Sequence, residues 1–237
     1  MVSKYRVPFL YYGLFVFFIF LNINRVDHYK VGGGKWILVK NYESKVNSSN
    51  PLERFYSRLS SFDGQWYYWI AKKGYFCNKL GQNNNPHDCN VAFFPLGSTI
   101  GKLLNQFFYI PLEYSIQIFN QVLSLLSFIL LFLIIKNLNL QRYCHIIFCS
   151  IVFYPSAIYN LTSYSEPQVF FAFLWFVFFL TTDRKHKFLT ILITFLFSLS
   201  KGTIAIFAMI PLIYDLLNSL RERKVSMDIW SPIIAGF

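Results

Sequence analysis

The chain has 237 residues, of which 55% are hydrophobic, 21% aromatic and only 14% charged, against about a quarter charged in an ordinary soluble domain. The formal net charge is +11. Its basic residues flank apolar runs and form no stripe interleaved with stacking aromatics, which argues against nucleic acid as a partner and for contact with anionic membrane lipids. These features predict an all-α integral membrane protein. It would be one polytopic helix bundle over 1–237, with a long outer loop at 24–111 that carries interfacial and re-entrant helices.

The first apolar run extends from Val7 to about Leu21, behind Lys4 and Arg6. A signal peptide has a similar start, but Asn22-Ile23-Asn24-Arg25 is a poor cleavage site, so the run reads as a retained span with its N-terminus in the cytoplasm. The loop that follows holds a turn at Val31-Gly32-Gly33-Gly34, a short strand or surface contact at Trp36-Ile37-Leu38-Val39, and a break from Asn47 to Pro51. Cys77 and Cys89 flank the polar turn Gln82 to Pro86. They form a disulfide in an oxidising compartment or remain thiols. His87 between them does not complete a zinc set, so no metal site is assigned.

Within that loop, Phe62-Asp63-Gly64-Gln65-Trp66-Tyr67-Tyr68-Trp69-Ile70-Ala71-Lys72-Lys73-Gly74-Tyr75 predicts a short aromatic helix opening near Ser61 to Gly64. Trp66, Trp69 and Ile70 fall on one face. Trp and Tyr favour the lipid–water boundary, so the helix is expected to lie flat on the outer leaflet with Asp63 at its N-terminal end. An aspartate there can cap free amide groups. Its carboxylate, with an ordinary pKa of about 4, can also accept a proton from an attacking hydroxyl. The two roles are compatible.

Ala92 to Tyr109 is apolar but interrupted by Pro95, Gly97, Gly101 and Lys102. It reads as a re-entrant or interfacial helix, because a full span would strand Lys136 and Arg142 outside. Ile116 to Ile135 then runs inward, and Cys144 to about Tyr159 runs outward with a bend near Pro155. Cys144 and Cys149 read as small buried hydrophobes. Asn160 to Pro167 forms an outer turn in which Glu166 either stabilises the helix opened by Pro167 or binds sugar or acceptor. Val169 to Thr181 returns to a cytoplasmic Arg184-Lys185-His186-Lys187. The aromatic runs Phe170-Phe171 and Phe176 to Phe179 read as lipid-facing or packing residues.

Phe188 to Tyr214 is broken by Ser198-Leu199-Ser200-Lys201-Gly202-Thr203. It is either one tilted helix or two half-helices meeting near Lys201; the second arrangement places Arg221 to Lys224 inside. A cation within an apolar stretch is a functional candidate, with a lipid phosphate as a suitable partner, unless it snorkels to the surface. Ser231 to Phe237 resembles the start of another span, so the sequence is expected to be part of a longer protein. Asn47-Ser48-Ser49 and Asn160-Leu161-Thr162 match glycosylation sequons, which matter only in a eukaryotic lumen. There is no Gly-rich nucleotide loop and no Asp-x-Asp motif, which argues against a sugar-nucleotide-dependent enzyme; no cofactor is expected.

The Asp63 segment, Ala92-Phe93-Phe94-Pro95-Leu96 and Tyr164-Ser165-Glu166 together resemble the PIG-V-like mannosyltransferases, polytopic enzymes of the GT-C class, over roughly Phe62 to Tyr214. The resemblance implies transfer of a hexose, mannose first, from a polyprenyl- or dolichyl-phosphate donor to a lipid or glycan acceptor at the periplasmic or lumenal face. A GPI precursor, a cell-wall glycan and a glycolipid all fit as acceptor. The resemblance implies Asp63 as catalytic base; Trp66, Tyr67, Glu166 and Lys201 are the candidate substrate-binding residues. The host membrane would be a bacterial cytoplasmic membrane or the endoplasmic reticulum. The chain departs from the family in its short length, the Cys77–Cys89 insertion, and a lysine where an arginine is usual. A transporter or lipid flippase using Lys201 and Glu166, or a non-catalytic fragment, are the alternative readings.

Overall fold

The computed structural model describes residues 6–25, 48–59, 63–75, 95–182 and 187–204, with 206, 209 and 213 beyond. The predicted turns at Val31 to Gly34 and Gln82 to Pro86, the Trp36 to Val39 segment, Cys77 and Cys89, the Arg184 to His186 and Arg221 to Lys224 clusters and Ser231 to Phe237 lie outside the described residues. Those described are helical throughout, without a strand. The bundle is built from α1 (Arg6–Arg25), α2 (Pro51–Leu59), α3 (Asp63–Lys73), α4 (Leu96–Phe108), α5 (Leu112–Asn137), α6 (Cys144–Val152), α7 (Glu166–Leu180) and α8 (Lys187–Ser198).

One of these, α5, is long and apolar enough to cross a membrane, over Tyr114–Asn137. The apolar stretches of α1, α7 and α8 are shorter. The main core lies where α1, α5, α6 and α7 meet. On α1, Tyr11, Phe15 and Ile19 recur every four residues and are buried, as one face of a helix requires. Phe15 stacks on Phe128 at 5.6 Å, and Phe128 meets Phe148 at the same centroid distance. Such pairs add about 0.5–1.5 kcal/mol each to the burial of the rings. Phe9, Leu10, Leu14 and Phe17 of α1 and Phe188, Leu192 and Phe195 of α8 remain exposed, leaving an apolar perimeter.

Helix α2 starts where its capping residues dictate. Asn50 Oδ1 accepts from the Leu52 amide at 3.0 Å, and Ser48 Oγ donates to Glu53 Oε2 at 2.6 Å. Pro51 takes the first helical position, where a missing amide costs nothing. Helices α4 and α5 form a tight hairpin through Tyr109, which adopts a left-handed conformation with φ of 56°. Asn105 Nδ2 closes the turn by donating to the Ile110 carbonyl at 2.8 Å.

Two expectations change here, and one open alternative is decided. The outward helix from Cys144 ends at Val152 instead of bending near Pro155; Tyr154 is extended and Pro155–Leu161 is a 3-10 turn. The residue before a proline is pushed out of the helical region, so the helix stops rather than kinks. Phe188 to Tyr214 is not one tilted helix: α8 ends at Ser198, Leu199 and Ser200 form a turn, and Gly202–Ile204 is a separate 3-10 turn. Cys149 is only half-buried, whereas Cys144 is buried as expected.

Helices α5 and α7 run in the same direction. Asn137 Nδ2 donates to Thr181 Oγ1 at 3.3 Å at one end, and Asn120 Nδ2 donates to the Tyr164 carbonyl at 2.7 Å at the other. The same number of residues separates the two bonds in each strand of the pair, so the helices stay level. Helix α5 then continues from Asn120 to Leu112, about 12 Å farther at 1.5 Å per residue. The N-terminus of α7 therefore ends well short of the Leu112 end, and α4 packs beside it and along the rest of α5, with Gly97 against Gln168 and Gly101 against Ile116.

Candidate functional site

Polar residues gather around the start of α7. Helix α5 buries Gln117, Asn120, Ser124 and Ser127, which lie on one helical face. Asn120 is fully enclosed and uses its amide completely. Its Nδ2 donates to the carbonyls of Thr162 and Tyr164 at 2.8 and 2.7 Å, and its Oδ1 accepts from Gln168 Nε2 at 3.0 Å. Ser124 Oγ donates to the Asn160 carbonyl. These bonds hold the irregular segment between Tyr159 and Glu166 against α5. Gln168 Oε1 is buried without a hydrogen-bond partner.

Glu166 is the first residue of α7, and Pro167 follows it in the position that a helix start tolerates. Its Oε1 stands 3.9 Å from Lys201 Nζ. The side chains are 41% and 48% exposed respectively. Glu166 Oε2 is buried and has no hydrogen-bond partner. Lys201 occupies the non-helical residue between the α8 terminus and the Gly202–Ile204 turn. Two candidates far apart in sequence thus meet in space.

The first turn of α4 ties the other candidate to the same level of the bundle. Leu96 donates its amide to the Leu199 carbonyl at 3.1 Å, two residues before Lys201. Gly97 lies against Gln168: a Cβ there would come within 2.8 Å of Gln168 Nε2. Ser98 Oγ donates to the Tyr67 carbonyl at 2.9 Å, about one turn along α3 from Asp63. A second link runs through α2, since the Ser163 amide donates to the Leu59 carbonyl at 3.2 Å. Asp63 opens α3, placing it in the helix's first turn; its side chain lies outside the described residues.

The exposed face of α3 differs from the expected one. Tyr67, Ile70 and Ala71 are the buried positions, and Tyr67 and Ala71 pack with Ile116. Trp66 and Trp69 are half-buried. The helix docks on α4 and α5 through its Tyr67 side, because Gly97, Ser98 and Gly101 let it and α5 approach α4 closely. Tyr67 is therefore a packing residue and Trp66 the more accessible of the pair. Trp69 carries Lys73 Nζ over its ring at 4.4 Å, and its Nε1 is buried without a hydrogen-bond partner. Partial burial pushes the Tyr75 phenol above its usual pKa, so it remains a neutral hydroxyl.

No group of three or more His, Cys, Asp or Glu residues that could hold a metal occurs among the described residues. Comparison with family profiles, with characterised proteins and with solved structures returned no match. The site is thus defined by its own geometry. Asn120 and Gln168, which organise it, were absent from the candidates drawn from the sequence. A signal was present: amides and hydroxyls spaced three and four apart in an otherwise apolar run mark a face turned away from lipid.

Proposed function

We propose that this chain is a multi-pass membrane glycosyltransferase of the PIG-V-like, GT-C kind, which moves a hexose, mannose first, from a polyprenyl-phosphate donor to a lipid or glycan acceptor. The observation that carries the reading is the convergence, around the first turn of α4, of the start of α3, the Glu166 end of α7 and the Lys201 break. In this reading Asp63 is the base that takes the proton from the acceptor hydroxyl as it attacks the anomeric carbon. Lys201 holds the donor phosphate, and Trp66 and Glu166 lie beside the sugar and acceptor.

The apolar perimeter of α1 and α8 supports membrane residence beyond the single span of α5, since a surface of that kind in water would drive association. Arg6, Lys136 and Arg142 all lie at the Asn137 end of the bundle: Tyr11 OH, one helical turn beyond Arg6, hydrogen-bonds His145 Nδ1 at 2.7 Å. That cluster favours a cytoplasmic Asn137 end and an outer Leu112 end. The test is transfer from polyprenyl-phosphate-linked mannose in membranes. Wild type should transfer mannose and Asp63→Asn should not; equal transfer by both would remove Asp63 as base.

The Glu166–Lys201 contact supports a second reading, a lipid or solute transporter that uses the pair as ligands and performs no transfer chemistry. It predicts substrate movement that does not respond to Asp63→Asn.

A further inference from the structure

We infer that Glu166 is the resting counter-ion of Lys201, and that the anionic phosphodiester of an incoming donor displaces it, making the pair an exchange switch for the donor. The inference rests on the reading of the donor as a lipid phosphate and assigns to Glu166 a regulatory part within that site.

The pair is loose. At 3.9 Å the contact is beyond hydrogen-bonding distance. The Lys201 ammonium makes no hydrogen bond to the described residues, so its three donor positions are open to another anion. The Lys201 side chain is 48% exposed, which leaves an anion room to approach. The carboxylate is under-coordinated as well, with Oε2 buried and unpartnered. No hydrogen bond has to break for the two to separate.

The pair is nonetheless the resting arrangement of the site. Lys201 stands beside the first turn of α7, where Glu166 is the carboxylate against it. Glu166 supplies that charge from a fixed backbone, held by Pro167 and by the bonds of Asn120 to the preceding loop. A phosphate and a carboxylate cannot both sit against one ammonium without repelling each other. Phosphate entry therefore swings the carboxylate off Lys201. Once released, it is an acceptor beside the sugar hydroxyls.

The test uses the full chain in phosphatidylcholine nanodiscs, with binding of polyprenyl-phosphate-linked mannose and, separately, of inorganic phosphate. Glu166→Gln removes the competing charge and should bind the lipid about two- to fivefold more tightly, the range set by partly exposed charge pairs. Lys201→Gln should bind more weakly, and the double variant should bind no more tightly than Lys201→Gln alone. Glu166→Asp keeps the charge and should show no gain. A gain for the lipid alone places the ligand's source in the membrane; a gain for inorganic phosphate alone supports exchange with a free anion. Unchanged affinity of Glu166→Gln for both probes, or a gain that persists without Lys201, overturns the exchange. If the wild type binds neither probe, the lipid-phosphate reading falls with it. If the gain appears but no preparation transfers mannose, the exchange stands and the enzymatic reading fails.

Discussion

Gln168 on α7 donates from Nε2 to Asn120 Oδ1 on α5 at 3.0 Å, and both side chains are fully enclosed. The bond joins the long helix to the short one at the level where α7 begins. Replacing Asn120 with Leu strips partners from Gln168 Nε2 and from the Thr162 and Tyr164 carbonyls. The expected loss is about 2 kcal/mol or more, because buried polar groups left unpaired keep their desolvation cost. Thermal unfolding in detergent reads it, and Ser150→Ala, which removes only an exposed bond within α6, should leave the midpoint unchanged.

Close approach of α4 and α5 depends on Gly101, where a Cβ would overlap Ile116 Cγ1. Gly101→Ala is expected to destabilise by about 1–3 kcal/mol through overpacking. Gly13, on α1, has open space in the same position, so Gly13→Ala should be neutral or stabilise by up to about 1 kcal/mol through helix propensity. Equal midpoints for the two variants would show that the α4–α5 contact is not tight.

Asp63→Asn separates chemistry from capping. Asparagine serves a helix start about as well as aspartate, so the unfolding midpoint should hold. Turnover should fall about 100-fold or more if the carboxylate is the base. A parallel loss of stability would point to a structural role.

Charge removal at the ion pair should affect binding and leave the fold intact. Glu166 and Lys201 are each more than a third exposed, and pairs of that kind contribute up to about 1 kcal/mol after solvent screening. Glu166→Gln and Lys201→Gln should therefore unfold within that margin of wild type. A larger shift in denaturation would make the pair a structural clamp.

Orientation is accessible to single-cysteine labelling in sealed vesicles, in a background lacking the native cysteines. A cysteine in place of Lys73, on α3, should react with a membrane-impermeant maleimide from the outer side, and one in place of Arg142 only after permeabilisation. Labelling of both from the same side would contradict the proposed crossing by α5.

Much of the local structure was legible along the chain. The apolar run at Ile116 to Ile135 lies inside α5, the Pro167 helix start was correctly placed, and the interruption at Ser198 to Thr203 is a true break. These features depend on neighbours within a turn or two: hydropathy, proline geometry and loss of helical continuity. The face of α3 was read less well. Tryptophan's preference for an interface pointed to Trp66 and Trp69, whereas packing on Ile116 turned the Tyr67 side inward. Which side of a short amphipathic helix is buried depends on the surface it meets, which local sequence does not encode.

The residue types needed at the site were visible by themselves, since a carboxylate and an ammonium stand out in apolar surroundings for the cost they incur there. That Glu166 and Lys201 pair, that Asn120 anchors the loop before Glu166, and that α7 starts level with Asn120, short of the Leu112 end of α5, were decided only by tertiary structure. Each follows from the register between helices distant in sequence, and that register is set by side-chain packing and interhelical hydrogen bonds instead of by any periodicity along the chain.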